Sequence, residues 1–333
     1  MNFYIQWDFT NLCNLKCKHC YKNSDENNNE LNLEDCLKIC DIINLMAIEN
    51  KLKISLSLTG GEPFTRKKDL YEILDYIENK TVINSFQILT NGLLIDLRDI
   101  KKLQSYKKLN GIQISLESSN KNIHDLIRGS GTFDKTIEQI KKIVENNLKV
   151  HVMMTISKKN KEDIEDMYKL LNSLKVHFFS VDRFIPETSE DFDQFVLNKE
   201  EYEAVCKRLN MLSLNKDYTI ISMHRPLHCL LDENKGGACS AGKLSIAILP
   251  NGDLLPCRRL KIKIGNILSD GITNPWNDNI VMRNLRSGNL KGKCKDCEYK
   301  KKCGGCRAMA YALSKDYLEE DPICWKVKGD YNE

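Results

Sequence analysis

No stretch of this 333-residue chain approaches the ~18 consecutive apolar residues of a membrane span. A secretory signal is missing as well. The N-terminus has no basic region and no apolar run, because Met1-Asn2-Phe3-Tyr4-Ile5-Gln6-Trp7-Asp8 goes straight into a strand-like segment. That start points to the cytoplasm. Charge of one sign is lacking: 50 Lys and Arg face 46 Asp and Glu, a formal net charge of +4. So small an excess, spread evenly, gives no footprint for nucleic acid. There is no internal repeat, and the polar stretch Asn23–Asn32 reads as a flexible loop. What remains is an ordinary globular composition, 41% apolar and 29% charged, long enough for about two domains.

The first two thirds alternate strand and helix patterns. In Lys53–Thr59, Ile54, Leu56 and Leu58 share one face and Ser55, Ser57 and Thr59 the other. Gly111–Glu117 alternates in the same way. Phe3–Thr10, Phe86–Thr90, Val150–Ser157 and Val176–Arg183 complete six strands. Helical stripes lie between them: Leu33 to Ala47, Ile137 to Val144, Ile164 to Leu174 and Glu200–Leu214. Six βα units predict parallel pairing. Several strands keep a polar face, such as Gln6, Asp8 and Thr10. Strands sandwiched between two helix layers would be apolar on both faces. The pattern therefore favours an open barrel of about six βα units over a flat doubly wound sheet, across residues 1–215, with chemistry at the C-terminal strand ends. Beyond residue 216 helical periodicity fades and Gly, Cys, Lys and short strand-like pieces (Leu244–Leu249, Leu254–Pro256) take over. Residues 216–333 read as a small cysteine-rich domain that folds around metal.

Cysteine is the abundant exception, with fourteen in the chain. In a reducing compartment such thiols serve metals or catalysis before disulfides. Cys36, Cys40 and Cys206 lie on apolar helix faces and read as core. Cys13-x3-Cys17-x2-Cys20 follows the first strand directly. Three thiolates leave one iron of a 4Fe–4S cubane open for chemistry; a zinc site completed by His19 has the same spacing. Eight more cysteines run from Cys229 to Cys324.

With Tyr21 after its third cysteine, the first cluster resembles the signature of the radical S-adenosylmethionine (radical SAM) family, which implies a partial (β/α)6 TIM-like barrel with this loop after strand one. Thr59-Gly60-Gly61-Glu62-Pro63 at the end of strand two resembles that family's GGEP segment, whose backbone and glutamate hold the SAM ammonium. The resemblance implies a SAM site built from Tyr21, Gly60, Gly61, Glu62, Pro63, Asn91, Ser115, Arg128 and Ile156. Ser115 and Arg128 would take the SAM carboxylate, and main chain near Ile156 the adenine. Ser115 and Glu117 share the polar face of strand four and should both point into the cavity. An electron from the reduced cluster would split SAM into methionine and a 5′-deoxyadenosyl radical. No pattern singles out a catalytic acid or base.

Cys239-x12-Gly252-x4-Cys257, then Cys294-x2-Cys297-x5-Cys303-x2-Cys306 and Cys324, resembles the SPASM extension of the same family, which holds two auxiliary 4Fe–4S clusters. The resemblance implies Cys294, Cys297, Cys303 and Cys324 at the distal cluster. It implies Cys239, Cys257 and Cys306 at the nearer one, with Cys229, His228 or substrate at the fourth corner. Zinc is the alternative for the paired CxxC motifs. Three cubanes and SAM are thus the expected cofactors.

The reading is an oxygen-sensitive radical SAM/SPASM oxidoreductase that matures a ribosomally synthesised peptide, fed by a low-potential donor such as flavodoxin or ferredoxin. There is no room for a peptide-binding domain before strand one, so leader recognition would fall to the barrel or a separate partner. The alternative is a tetrapyrrole enzyme of the haem pathway, which Cys303–Ala308 and Asp316–Pro322 also resemble. A sulfatase maturase would need an aspartate where Arg258 stands. A non-enzymatic iron–sulfur carrier would need no GGEP segment. Acidic residues at the strand-six exit (Asp182, Glu187, Glu190, Asp191, Asp193) favour a peptide over a polycarboxylate.

Overall fold

A computed structural model describes residues 1–21 and 29–326, so residues 23–28 of the expected flexible loop lie outside the described residues. Six strands, β1 (Asn2–Thr10), β2 (Lys53–Gly60), β3 (Ser85–Thr90), β4 (Leu109–Ser115), β5 (Val150–Ile156) and β6 (Phe178–Arg183), pair in chain order. Every pairing among them is parallel. Parallel crossovers have one hand, and strand order without reversal puts all the helices on one side. Those helices are α1 (Leu33–Glu49), α2 (Lys67–Lys80), α3 (Leu97–Gln104), α4 (Lys121–Arg128), α5 (Thr132–Glu145) and α6 (Ile164–Ser173), then α7 (Ser189–Phe195) and α8 (Lys199–Leu212).

Sequence pattern explains which face goes where. Ile5, Trp7, Ile54, Leu56, Ile88, Ile112 and Val152 lie on the helix side and are essentially inaccessible. Each fully buried side chain of this kind stabilises by about 1.5–3 kcal/mol. Helix α1 shows the local logic. Asn32 caps it by accepting from the Asp35 amide, acidic Glu34 and Asp35 fill its first turn, and it buries Cys36, Ile39, Cys40 and Ile43. The opposite sheet face is polar and internally bonded. The Tyr4 hydroxyl donates to Ser57 Oγ at 2.8 Å, Gln87 Nε2 donates to the same oxygen at 2.7 Å, and His151 Nε2 lies 2.6 Å from Ser180 Oγ. This is the parallel α/β architecture with a polar interior that the alternation predicts.

The last third enters this sheet at both edges. Strand β7 (Ile220–Ser222) pairs parallel with β6, and β8 (Ser245–Ile248) pairs parallel with β1. Strands β9 (Asp253–Leu255) and β10 (Gly265–Asn266) extend β8 antiparallel. One ten-stranded sheet therefore runs across the expected division at 215/216, which falls after α8. An open barrel exposes two unpaired edges, and these strands cover them.

Two expectations need correction. Helices do continue past Met223: α9 (Ile267–Asp270), α10 (Thr273–Asp278), α11 (Ile280–Ser287) and α12 (Arg307–Ser314). None exceeds eight residues, too short to display a 3.6-residue period. Strand four ends at Ser115, so Glu117 lies beyond it, fully buried.

Candidate active site

The loop carrying Cys13, Cys17 and Cys20 leaves β1 and is clamped on both flanks. On one side the β2 turn donates to it: the Gly61 amide to Thr10 O at 2.8 Å and the Glu62 amide to Leu12 O at 2.7 Å. The contact is so close that only glycine fits. A Cβ on Gly60 would stand 2.2 Å from Thr10 O, and one on Gly61 would stand 2.1 Å from Leu12 O. Gly60 also has φ +140°, a conformation side chains resist. The two glycines thus serve the cysteine loop itself.

Glu62 is buried beneath this contact. Its carboxylate accepts from the Thr90 hydroxyl (2.7 Å), the Asn91 amide (2.7 Å) and the Phe64 amide (3.1 Å). Burial pushes its pKa up, and these donors oppose the shift. Three donors occupy three of the carboxylate's roughly four acceptor positions. The side chain expected to meet the SAM ammonium is thus spent largely on fixing the turn, with Pro63 buried beside it. Asn91 forms an Asn-Gly turn, its Oδ1 accepting from Leu93, and also reaches the cysteine loop, donating to Asn14 Oδ1 at 2.8 Å.

On the other flank, the Lys18 amide donates to Ile127 O at 2.9 Å. Arg128, the last residue of α4, points Nη1 at Cys17 Sγ (4.0 Å) and gives Nε and Nη2 to Glu117 Oε1 at 2.9 and 2.7 Å. His19 Nε2 meets the same oxygen at 3.3 Å, while Glu117 Oε2 takes the Thr155 amide. Burial would raise the Glu117 pKa, but His19 and Arg128 outweigh it and hold the carboxylate ionised. Ser115 ends β4 partly buried, opposite Met153. Ile156 is core, and its carbonyl is taken by the Phe184 amide at 3.2 Å.

Tyr21 lies against the last third. The Arg258 guanidinium stands 4.1 Å from its ring centroid, and Lys261 Nζ donates to its carbonyl at 2.8 Å. Burial pushes the phenol up to about 12 despite that cation. Arg258 in turn forms a buried ion pair with Asp8 of β1.

The remaining cysteines fall into two neighbourhoods. Cys239, Cys257 and Cys306 stand near enough to act on one another's charge. So do Cys294, Cys303 and Cys324. The Cys229 thiol bonds to Cys303, with Cys297 also near, and so joins the second neighbourhood. Next to it, His228 is buried, and neither ring nitrogen has a hydrogen-bond partner among the described residues. Among the described residues no three His, Cys, Asp or Glu side chains converge as ligands of one ion. A cubane instead holds its thiolates apart at separate corners, and soft, spaced thiols fit that demand.

Charged residues that the motifs did not flag tie the two parts together. Arg183 of β6 makes a buried bidentate pair with Asp321 (3.1 and 2.8 Å). Asp321 Oδ2 accepts the Cys306 amide at 2.8 Å, and Asp321 O accepts the Cys324 amide at 3.1 Å. The neighbouring Asp182 gathers Arg225 and Arg259. Asp8 was visible as a polar residue on a strand face, Asp182 as an acid at the strand-six exit and Asp321 within the segment Asp316–Pro322; Arg225 carried no signal of pattern or spacing.

Residues 7–171 match the Radical SAM superfamily, and residues 239–306 match SPASM, an iron–sulfur cluster-binding domain. The chain is 30% identical over 345 residues to an AdoMet-dependent heme synthase of Methanosarcina barkeri (strain Fusaro / DSM 804), covering 96% of this chain and 95% of that protein. It is also 30% identical to the antilisterial bacteriocin subtilosin biosynthesis protein AlbA of Bacillus subtilis (strain 168), across 99% of this chain and 72% of that one. Streptococcus suis SuiB, solved bound to S-adenosylmethionine, superposes with a TM-score of 0.78 at 21% identity, over 98% of this chain and 77% of that one. No helix among the described residues is long and apolar enough to cross a membrane. The chain belongs to the radical SAM superfamily and is an enzyme of its SPASM-bearing branch, whose two domains indicate 4Fe–4S clusters and SAM.

Proposed function

We propose that the enzyme oxidatively matures a ribosomally synthesised peptide. The observation that carries this reading is the chemistry of the sheet's inner face. A tetrapyrrole needs broad apolar walls together with clustered cations. Here the inner face presents Tyr4, Ser57 and Gln87, which bond to one another, His151 bonded to Ser180, and Gln6 and Gln113, polar side chains that suit a main chain with mixed side chains. The acidic segment after β6 lends less support than its sequence suggests. Asp191 is used by the α7 capping box with Thr188, and Glu187 pairs with Lys261.

The assignments follow the placements. Cys13, Cys17 and Cys20 would hold a cluster with one open iron; Cys239, Cys257 and Cys306 the nearer auxiliary cluster; Cys294, Cys297, Cys303 and Cys324 the distal one. When bound, the first cluster supplies the electron that cleaves SAM reductively. The protein's own part is to hold that loop rigid through Gly60, Gly61 and Glu62, to set Arg128 beside it through Glu117, and to keep water from the interior. SAM would sit over the residues from Tyr21 to Ile156 named above. A flavodoxin or ferredoxin would serve as donor, and a separate partner would present the peptide leader.

A specific observation keeps the haem-pathway reading in second place. A relative of matching length is a heme synthase, and Arg225, Arg258 and Arg259 gather where β1 and β6 approach the cysteine-rich part. The deciding experiment is anaerobic incubation of the reconstituted enzyme with SAM, a reductant and small peptides encoded beside its gene. A loss of two mass units per crosslink supports the peptide. Turnover of a porphyrin, with every such peptide unchanged, overturns it.

A further inference from the structure

The geometry points to a carboxylate-recognition site formed by Arg225 and Arg259 around Asp182, which reads an acidic side chain of the peptide. This rests on the peptide reading above. Asp182 lies on the inner face of β6 with Ser180, and its side chain is only 7% exposed. Arg225 donates from Nη2 to Asp182 Oδ2 at 2.7 Å and sets Nε beside Oδ1. Arg259 donates from Nη2 to Oδ2 at 2.9 Å and from Nη1 to Arg183 O at 2.9 Å. Two guanidiniums therefore share one carboxylate.

The other charges around the site do not restore balance. Asp8, the other carboxylate at this seam, is engaged by Arg258. His151 and His224, which face the site from β5 and from the segment after β7, are held neutral near pH 7. Burial pushes each down to about 4; Arg225 adds to the shift of both and His224 to that of His151, while Asp182 opposes it. Among the described residues one positive charge remains, on guanidiniums that stay partly open to solvent, so a ligand carboxylate finds a cation within its reach.

The side chains are also built to receive it. Arg225 is 39% exposed and Arg259 30%, so the guanidinium edges turned from Asp182 are wet. Asp182 anchors the planar forks, so little rotamer freedom remains to be lost on binding. A guanidinium so oriented presents paired N–H groups matched to a carboxylate. Cys257 lies close to both arginines, and charge balance of a thiolate-bound cluster there is the competing role.

The experiment uses the reconstituted holoenzyme with dithionite-reduced clusters. The probes are 13C-labelled acetyl-glutamate amide and its uncharged counterpart, acetyl-glutamine amide. Paramagnetic broadening should appear for the glutamate probe alone, weaken about tenfold or more in Arg225→Gln, and largely return in Arg225→Lys. Iron content and circular dichroism establish that each variant is folded. Equal broadening by both probes overturns the site. So does unchanged glutamate broadening in Arg225→Gln accompanied by a shifted cluster spectrum, which assigns the arginines to charge balance. Turnover of a porphyrin alongside Arg225-dependent broadening would sink the peptide reading but leave the carboxylate site standing.

Discussion

In the barrel, cohesion comes from side chains such as Ile5, Leu58, Ile88, Ile114, Val152 and Phe179, all fully buried on strands whose neighbours supply their contacts. Between Cys229 and Cys324 the strands have two to four residues, and buried apolar side chains such as Ile246, Leu254, Leu260, Met282 and Met309 are joined in the interior by thiols, by Arg258 and Arg307, and by Asp321. The first region can hold its shape through apolar burial. The second spreads its apolar core over short elements and borrows sheet edges from the first. Ligand loops in the two regions should therefore respond differently to the loss of their thiols, and that difference can be attacked from several sides.

The largest effect should come from Cys294→Ala or Cys324→Ala. Metal sites in small domains contribute folding energy on the order of 10 kcal/mol. Either change should open residues beyond Met223 to limited proteolysis and lower the iron content, while far-UV circular dichroism keeps the barrel's signal. The triple change of Cys13, Cys17 and Cys20 to Ala should do the reverse, abolishing release of 5′-deoxyadenosine with the fold intact. Proteolytic resistance of Cys324→Ala would show that apolar packing supports both regions alike.

Next comes the joint between them. Arg183→Met leaves Asp321 buried without its partner, at a cost of about 3–5 kcal/mol, and loosens the Cys306 and Cys324 amides that Asp321 holds. The thermal midpoint should fall and the auxiliary cluster spectrum should change. The double variant Arg183→Met, Asp321→Leu should recover much of the midpoint but not the spectrum. Gly61→Ala should cost less overall, about 3 kcal/mol from overpacking. Its damage is local, because the added carbon meets Leu12 O and Asn11 O in the first cysteine loop. Reduced iron retention at that loop, with the rest of the protein unaltered, is the expected readout.

The same comparison explains what was legible beforehand. Six strands and their polar face could be read because each runs six residues or more and alternates. The cysteine loop could be read because its spacing is local. Edge pairing of β7 and β8 could not be read, since three or four residues carry no period. Arg183–Asp321 and Asp182–Arg225 are separated by 138 and 43 positions, and nothing in sequence marks one charge for another at that distance. Glu117 was placed on the right face but in the wrong element, and its role with His19 and Arg128 depends on a turn after β4. Cys229 was expected beside Cys239, Cys257 and Cys306, and its thiol is found at Cys303. The fourth corner of the nearer cluster can be decided by comparing Cys229→Ala with His228→Ala. A shifted spectrum of that cluster in the histidine variant alone would assign the corner to the unpartnered imidazole.

The smallest effect concerns pH and acts on the barrel. His124, His151 and His224 are each pushed down to about 4, by burial first and then by Arg128, by His224 and by Arg225 respectively. In the unfolded chain they titrate near 6.5. Between those values the unfolded state binds more protons, so stability rises with pH across that window and is flat above it. Acidification from about 6.5 toward 4 should therefore destabilise. The slope approaches about 1.4 kcal/mol per pH unit for the fully buried His124 and is less for the two partly wet rings. Thermal midpoints of the holoenzyme should hold steady from pH 8 to 7 and decline from pH 6.5 to 5, with cluster absorbance checked to be intact. His151→Gln removes one titrating group and should shallow the decline without moving the plateau. A midpoint that keeps its value down to pH 5 would mean that these rings carry their proton in the folded protein and that the polar interior is wetter than its hydrogen bonds imply.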